Sequence, residues 1–112
     1  MSKRQIDPKP EAAEAIAILG QQIRQGRLRK GWTMASLAAR TGVSTQTIAA
    51  IEGGSPGTSI ANVFNAAVIV GVHLFGAERD ELVALRRRGD EVIALLPSRV
   101  VPERGDDAVP DF

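Results

Sequence analysis

A chain of 112 residues, 44% of them hydrophobic, is long enough for one domain with a small core and little besides a binding surface. It has no cysteine, which excludes disulfides and thiolate metal sites and suits a reducing compartment; its single histidine, His73, has no obvious carboxylate partner in the sequence for a metal site or an acid/base pair. The formal net charge is only +1, but between Gly20 and Gly57 Arg24, Arg27, Arg29, Lys30 and Arg40 face Glu52 alone, whereas from Ser98 onward Glu103, Asp106, Asp107 and Asp111 outnumber Arg99 and Arg104.

Residues 1–10 are polar, and Pro8 and Pro10 oppose helix, so a flexible arm is expected there. Lys3 and Arg4 are followed by no apolar run, and no segment approaches the ~20 apolar residues that a bilayer span needs, which predicts a cytoplasmic protein with no membrane partner. A first helix is expected from about Glu11 to Lys30, with Ile16, Leu19, Ile23 and Leu28 as its apolar stripe and Gly31 as its stop. Trp32 precedes Thr33, which suits an N-cap, and Leu37 lies at the fourth position of the next helix, so the tryptophan is expected to pack as a hydrophobic staple. Leu37 and Ala38 then share one face of a short helix, Gly42 suits a turn residue with φ > 0, and Ser44 can cap a second short helix on which Ile48 and Ile51 recur at i, i+3. Ala38 leaves room for the two helices to cross closely.

After Glu52 the run Gly53-Gly54-Ser55-Pro56-Gly57 predicts a loop, and Thr58 or Ser59 caps a fourth helix ending near Val70, with Ile60, Val63, Phe64, Ala67 and Val68 on its inner face. A fifth helix opens around Glu78 to Asp80, whose acids favour a helix N-terminus, and Arg86-Arg87-Arg88 follow where cations favour a C-terminus. Leu82, Leu85, Val92, Ile93 and Leu96 keep one face if the helix runs on through Gly89; a short strand over residues 90–96 is the alternative, and helix is preferred. This segment carries more apolar surface than a small domain can easily cover, which makes it the first candidate for a dimer contact. The expected organisation is therefore an arm (1–10), a folded domain (11–97) and a disordered acidic tail (98–112).

Two short helices around a tight turn are the layout of a helix-turn-helix DNA reader. From Leu37-Ala38 through Gly42-Val43-Ser44 to Ile48-Ala49-Ala50-Ile51-Glu52-Gly53, the chain resembles the Cro/phage-repressor (XRE-like) domains. The resemblance covers about residues 14 to 75 and implies an all-α, five-helix domain whose second short helix enters the major groove. On that helix Thr45, Gln46, Thr47 and Ala50 are the expected base-reading positions. Gln46 can make a bidentate contact to adenine, Thr45 can hydrogen-bond or lay its methyl on a thymine methyl, and Ala50 can offer only an apolar contact. Phosphate contacts are assigned to Thr33, Ser36, Arg40, Ser55, Ser59 and Asn62, with Thr47 in support. The family commonly has a phosphate-contacting glutamine where this chain has Met34, so that contact is not carried over. Arg27 and Glu52 correspond to an internal ion pair of the family.

No P-loop, zinc-ligand pattern or acid/base pair points to an enzyme, and no cofactor is expected. With one long polar base reader, specificity calls for a homodimer on a palindromic operator. The loop Pro56-Gly57-Thr58-Ser59 and the short acidic tail look most like HipB-type antitoxins, which implies autoregulation of an operon and a HipA-like serine/threonine kinase toxin as partner. In that reading Asp106, Asp107, Asp111 and Phe112 form the toxin-binding segment, the aromatic filling a pocket and the acids meeting basic residues. A stand-alone phage-like or chromosomal repressor is the alternative.

Overall fold

The computed structural model describes residues 7–100 and Pro102; the candidate toxin-binding residues Asp106, Asp107, Asp111 and Phe112 lie outside the described residues. The helices run α1 (Pro10–Arg29), α2 (Met34–Thr41), α3 (Thr45–Glu52), α4 (Ile60–Ile69) and α5 (Arg79–Leu95), with a 3-10 turn at Leu74–Gly76. Among the described residues there is no strand, and the chain divides after Glu78 into two units, each described by itself.

In the first unit, α1 starts one residue earlier than expected, because Pro10 occupies the first helical turn, where its missing N–H leaves no bond unmade. The helix stops as expected at Gly31, whose φ of +72° lets Trp32 N–H donate back to the Arg27 carbonyl at 3.1 Å. Its buried stripe, however, is Gly20, Ile23, Gly26 and Arg27, and Leu28 is 56% exposed. Leu28 sits five residues past Ile23, which turns it about 140° away from the core face, whereas positions 26 and 27 return to it.

Thr33 caps α2 by accepting from Ser36 N–H at 3.0 Å, and Ser44 caps α3 by accepting from Thr47 N–H at 3.1 Å. Between them Gly42 takes φ +74°, and Val43 N–H closes the turn on the Ala38 carbonyl at 3.1 Å. Leu37, Ala38, Ile48 and Ile51 are all buried, and with Ile23, Ala66, Ala67 and Val70 they make one core against which Trp32, Met34 and Val43 pack. The apolar spacing in the sequence therefore marks the seam between α2 and α3 correctly.

On α4 the cap is Ser59, which accepts from Asn62 N–H at 3.5 Å. The core face is Val63, Ala66, Ala67 and Val70. Ile60 (70% exposed) and Val68 (59% exposed) do not line it. The two buried alanines set the true stripe, and their small side chains give a weaker hydrophobic signal than the branched residues beside them. In the 3-10 turn Phe75 has φ +55°, and its ring meets Phe64 edge-on at 6.4 Å between centroids.

In the second unit α5 continues through Gly89 to Leu95, which decides the alternative over residues 90–96 in favour of helix for all but its last residue. Asp80 and Glu81 occupy its first turn, as a helix dipole favours. Arg86, Arg87 and Arg88 lie mid-helix rather than at its end, because the helix does not stop at Gly89. Val92, Ile93, Leu95 and Leu96 are exposed.

Candidate nucleic-acid interface

The start of α3 projects an open row of side chains. Thr45, Gln46 and Ala49 are exposed, Thr47 and Ala50 are half-buried, and Ile48 and Ile51 point into the core. The Thr47 hydroxyl lies 2.9 Å from Ser44 Oγ, so it is already engaged by the cap. Thr45 and Gln46 are left as the extended polar groups, with the small surfaces of Ala49 and Ala50 beside them. Ala49 is the more open of the two alanines.

The expected phosphate-binding residues fall into two sets. Thr33, Ser36 and Arg40 lie along α2 and are linked to one another: Thr33 accepts from Ser36 N–H, and Arg40 Nε donates to Ser36 Oγ at 3.4 Å. Ser55, Ser59 and Asn62 lie around the start of α4, where the Ser55 carbonyl accepts from Thr58 Oγ1 at 3.1 Å and Ser59 caps the helix. Exposed hydroxyls and backbone N–H groups at the starts of helices are the groups that hold phosphate oxygens in such interfaces.

Behind this surface lies a buried charge pair. Arg27 Nε donates to Glu52 Oε2 at 2.6 Å and its terminal nitrogens donate to Glu52 Oε1 at 3.0 Å and to the Trp32 carbonyl at 2.9 Å. The two side chains are only 7% and 3% exposed. The bidentate hydrogen bond to Glu52, with the carboxylate's charge, holds the guanidinium above its usual pKa against the opposing effect of burial. A raised cationic pKa contributes stability that is fully present below the unfolded value and is lost only as pH rises through the folded one. On the arginine side the pair is therefore insensitive to pH throughout the neutral range. The pair ties the end of α3 to α1 and fixes the angle at which α3 presents its first turn.

The model of the helix-turn-helix domain family matches residues 18–82, more than half of the chain. The chain belongs to the helix-turn-helix domain family. No curated protein and no solved structure matches it. The matched span of this helix-turn-helix domain contains α2, α3 and α4 whole, most of α1, and the opening of α5.

Sequence reasoning missed three features of the domain. Trp32 does pack against the core, but it also carries Arg40 Cζ 3.9 Å and Lys30 Nζ 5.3 Å from its ring centroid. Gly20 and Gly26 are points of close approach, where an added Cβ would lie 2.5 Å from the Ile51 carbonyl oxygen and 2.8 Å from that of Val70 respectively. A glycine inside a helical pattern was the available signal for these. Third, His73 Nε2 does face a carboxylate, Glu78, at 3.9 Å, though both side chains are well exposed. Among the described residues no three potential ligands gather into a metal site, and no helix is long and apolar enough to cross a membrane.

Proposed function

We propose that this helix-turn-helix domain is a transcriptional repressor that binds a palindromic operator as a homodimer through the first turn of α3, in the cytoplasm where the chromosome is accessible. The observation that carries this reading is the Arg27–Glu52 pair: a buried, bidentate lock on the end of a helix whose other end is open, polar and bordered by hydroxyls and cations. A lock of this kind has a use where the angle of a helix must be held against a groove. With Gln46 as the one long polar side chain in the reading row, discrimination by a single copy is small, and two-fold repetition doubles it.

Selection of duplexes from a random library by the purified protein, followed by footprinting, tests the reading. The expected product is an inverted repeat with half-sites about one helical turn apart, roughly 10 bp, occupied by two chains. Recovery of an unpaired half-site at one chain per duplex contradicts the dimer, and failure to enrich any sequence contradicts sequence-specific binding.

A narrower reading, that the repressor is also an antitoxin, is supported by the resemblance of Pro56-Gly57-Thr58-Ser59 and the acidic tail to HipB-type proteins. In this reading Asp106, Asp107, Asp111 and Phe112 engage a HipA-like kinase toxin, and the kinase chemistry belongs to that partner. Deletion of residues 99–112 is expected to leave operator binding nearly unchanged and to weaken toxin affinity by at least ~2 kcal/mol, about the share of one buried aromatic anchor. Equal toxin affinity of the full and shortened chains overturns the tail assignment. Recovery from the native host of the protein with DNA but no stoichiometric kinase favours a repressor acting alone.

A further inference from the structure

The arrangement around Trp32 goes beyond packing. Its indole holds two cations from different parts of the fold, Arg40 of α2 stacked at 3.9 Å and Lys30, just past the end of α1, at 5.3 Å. Arg40 is fixed a second time by its Nε contact with Ser36 Oγ, and among the described residues its terminal nitrogens have no hydrogen-bond partner. Between Gly20 and Gly57 the only carboxylate is Glu52, and Arg27 already occupies it. Two like charges are thus gathered on one ring with no anion nearby in that stretch to neutralise them.

We propose that Trp32 is a positioning residue for the DNA backbone: it stacks Arg40 and gathers Lys30 into a preformed cationic clamp for phosphates that flank α3. This rests on the reading of the domain as a DNA binder and adds to it a residue that contacts the core on one side and arranges the phosphate-binding cations on the other. Indole has the strongest quadrupole of the aromatic side chains, and guanidinium is the cation that stacks flat on it, so the ring orients the fork and lowers the entropy lost on binding. Leucine at this position keeps an apolar, though smaller, side chain against the core and offers no face for a cation. The clamp is also coupled to the reading helix. The Arg27 guanidinium that grips Glu52 also donates to the Trp32 carbonyl at 2.9 Å, so the platform and the end of α3 are held by one side chain.

The test is fluorescence anisotropy of a labelled mixed-sequence duplex with the full chain, titrated at several points across roughly 50–200 mM salt, for Trp32→Leu, Arg40→Ala and the combined variant. Arg40→Ala is expected to weaken binding roughly three- to tenfold and to reduce the log–log salt slope by about 0.9, the amount for one lost phosphate contact. Trp32→Leu should do at least as much with its helical circular dichroism intact, and the combined variant should be no weaker than Trp32→Leu alone. Losses that multiply in the combined variant, or an unchanged slope in either single variant, overturn the proposal. Tryptophan emission of the unsubstituted ring supplies a readout that survives if Trp32→Leu does not fold. It should change on adding saturating duplex to the wild-type chain and change less in Arg40→Ala; equal changes in both overturn the proposal. Absence of binding by the wild-type chain to any duplex removes the DNA-binding reading itself, a different outcome from a wild-type chain that binds while Trp32 proves irrelevant.

Discussion

Arg27→Ala is expected to destabilise the domain by about 3–5 kcal/mol, because it leaves the Glu52 carboxylate buried without its counter-charge. Glu52 is only 8% exposed and both its oxygens accept from Arg27, so the substitution strips a buried carboxylate of two charge-assisted hydrogen bonds at once. A surface pair would contribute ~1 kcal/mol or less, and burial is what separates the two cases. The same substitution frees the Trp32 carbonyl and loosens α3, so operator affinity should fall beyond what the population of unfolded chain explains. Chemical denaturation followed by circular dichroism, with binding measured well below the melting range, separates the two effects. Arg27→Ala together with Glu52→Leu should recover part of the stability, since it leaves no orphaned charge, but not the operator affinity, because the angle of α3 is no longer fixed by hydrogen bonds. A melting curve unchanged by Arg27→Ala contradicts this account of the joint.

Gly20→Ala is also expected to destabilise the domain, by less and for a steric reason. A Cβ at this position would sit 2.5 Å from the Ile51 carbonyl oxygen and 2.8 Å from that of Glu52. These are backbone atoms at the end of α3, so no side-chain rotation relieves the contact. Alanine is the better helix former by about 1 kcal/mol, which on an open helix would make the change stabilising. Overpacking typically costs about 1–3 kcal/mol, and against rigid backbone on both sides the clash outweighs the propensity gain. Gly89→Ala in α5 is the matched control, because nothing lies within 4 Å of a Cβ built there, and it should raise helix stability by up to about 1 kcal/mol. If the two substitutions shift stability alike, the close approach of α1 to α3 is not a determinant of the fold.

Much of the architecture was legible in the sequence, and the reasons lie in particular residues. Thr33, Gly42 and Ser44 are capping and turn residues with strong local preferences, so the boundaries of α2 and α3 follow from their chemistry. Leu37, Ile48 and Ile51 are large and regularly spaced, and each is buried. The stripes that misled were those built partly of small residues. On α1 the core face runs through Gly20 and Gly26, and on α4 through Ala66 and Ala67. There the hydrophobic signal is carried by neighbours such as Leu28, Ile60 and Val68 that point elsewhere. Close helix contact selects small side chains, so the tightest joints leave the faintest apolar pattern. Near the candidate site, the Arg27–Glu52 pair was legible through family resemblance, and the structure forms it. The stacking of Arg40 on Trp32 joins a residue before the cap of α2 to one in its last turn, a relation that no helical period describes.

In the proposed function α3 reads bases through Gln46 and is positioned by the charges around it. The most direct measurement is equilibrium binding of the wild-type chain and Gln46→Ala to the selected operator and to each of its single-base variants at one salt concentration. Wild type should discriminate by about 1–3 kcal/mol at one symmetric position in each half-site, and Gln46→Ala should lose that discrimination while retaining the preferences at the other positions and the wild-type salt slope. A Gln46→Ala protein that binds every variant more weakly by a common factor, with its base preferences intact, contradicts the assignment of α3 as the reading helix.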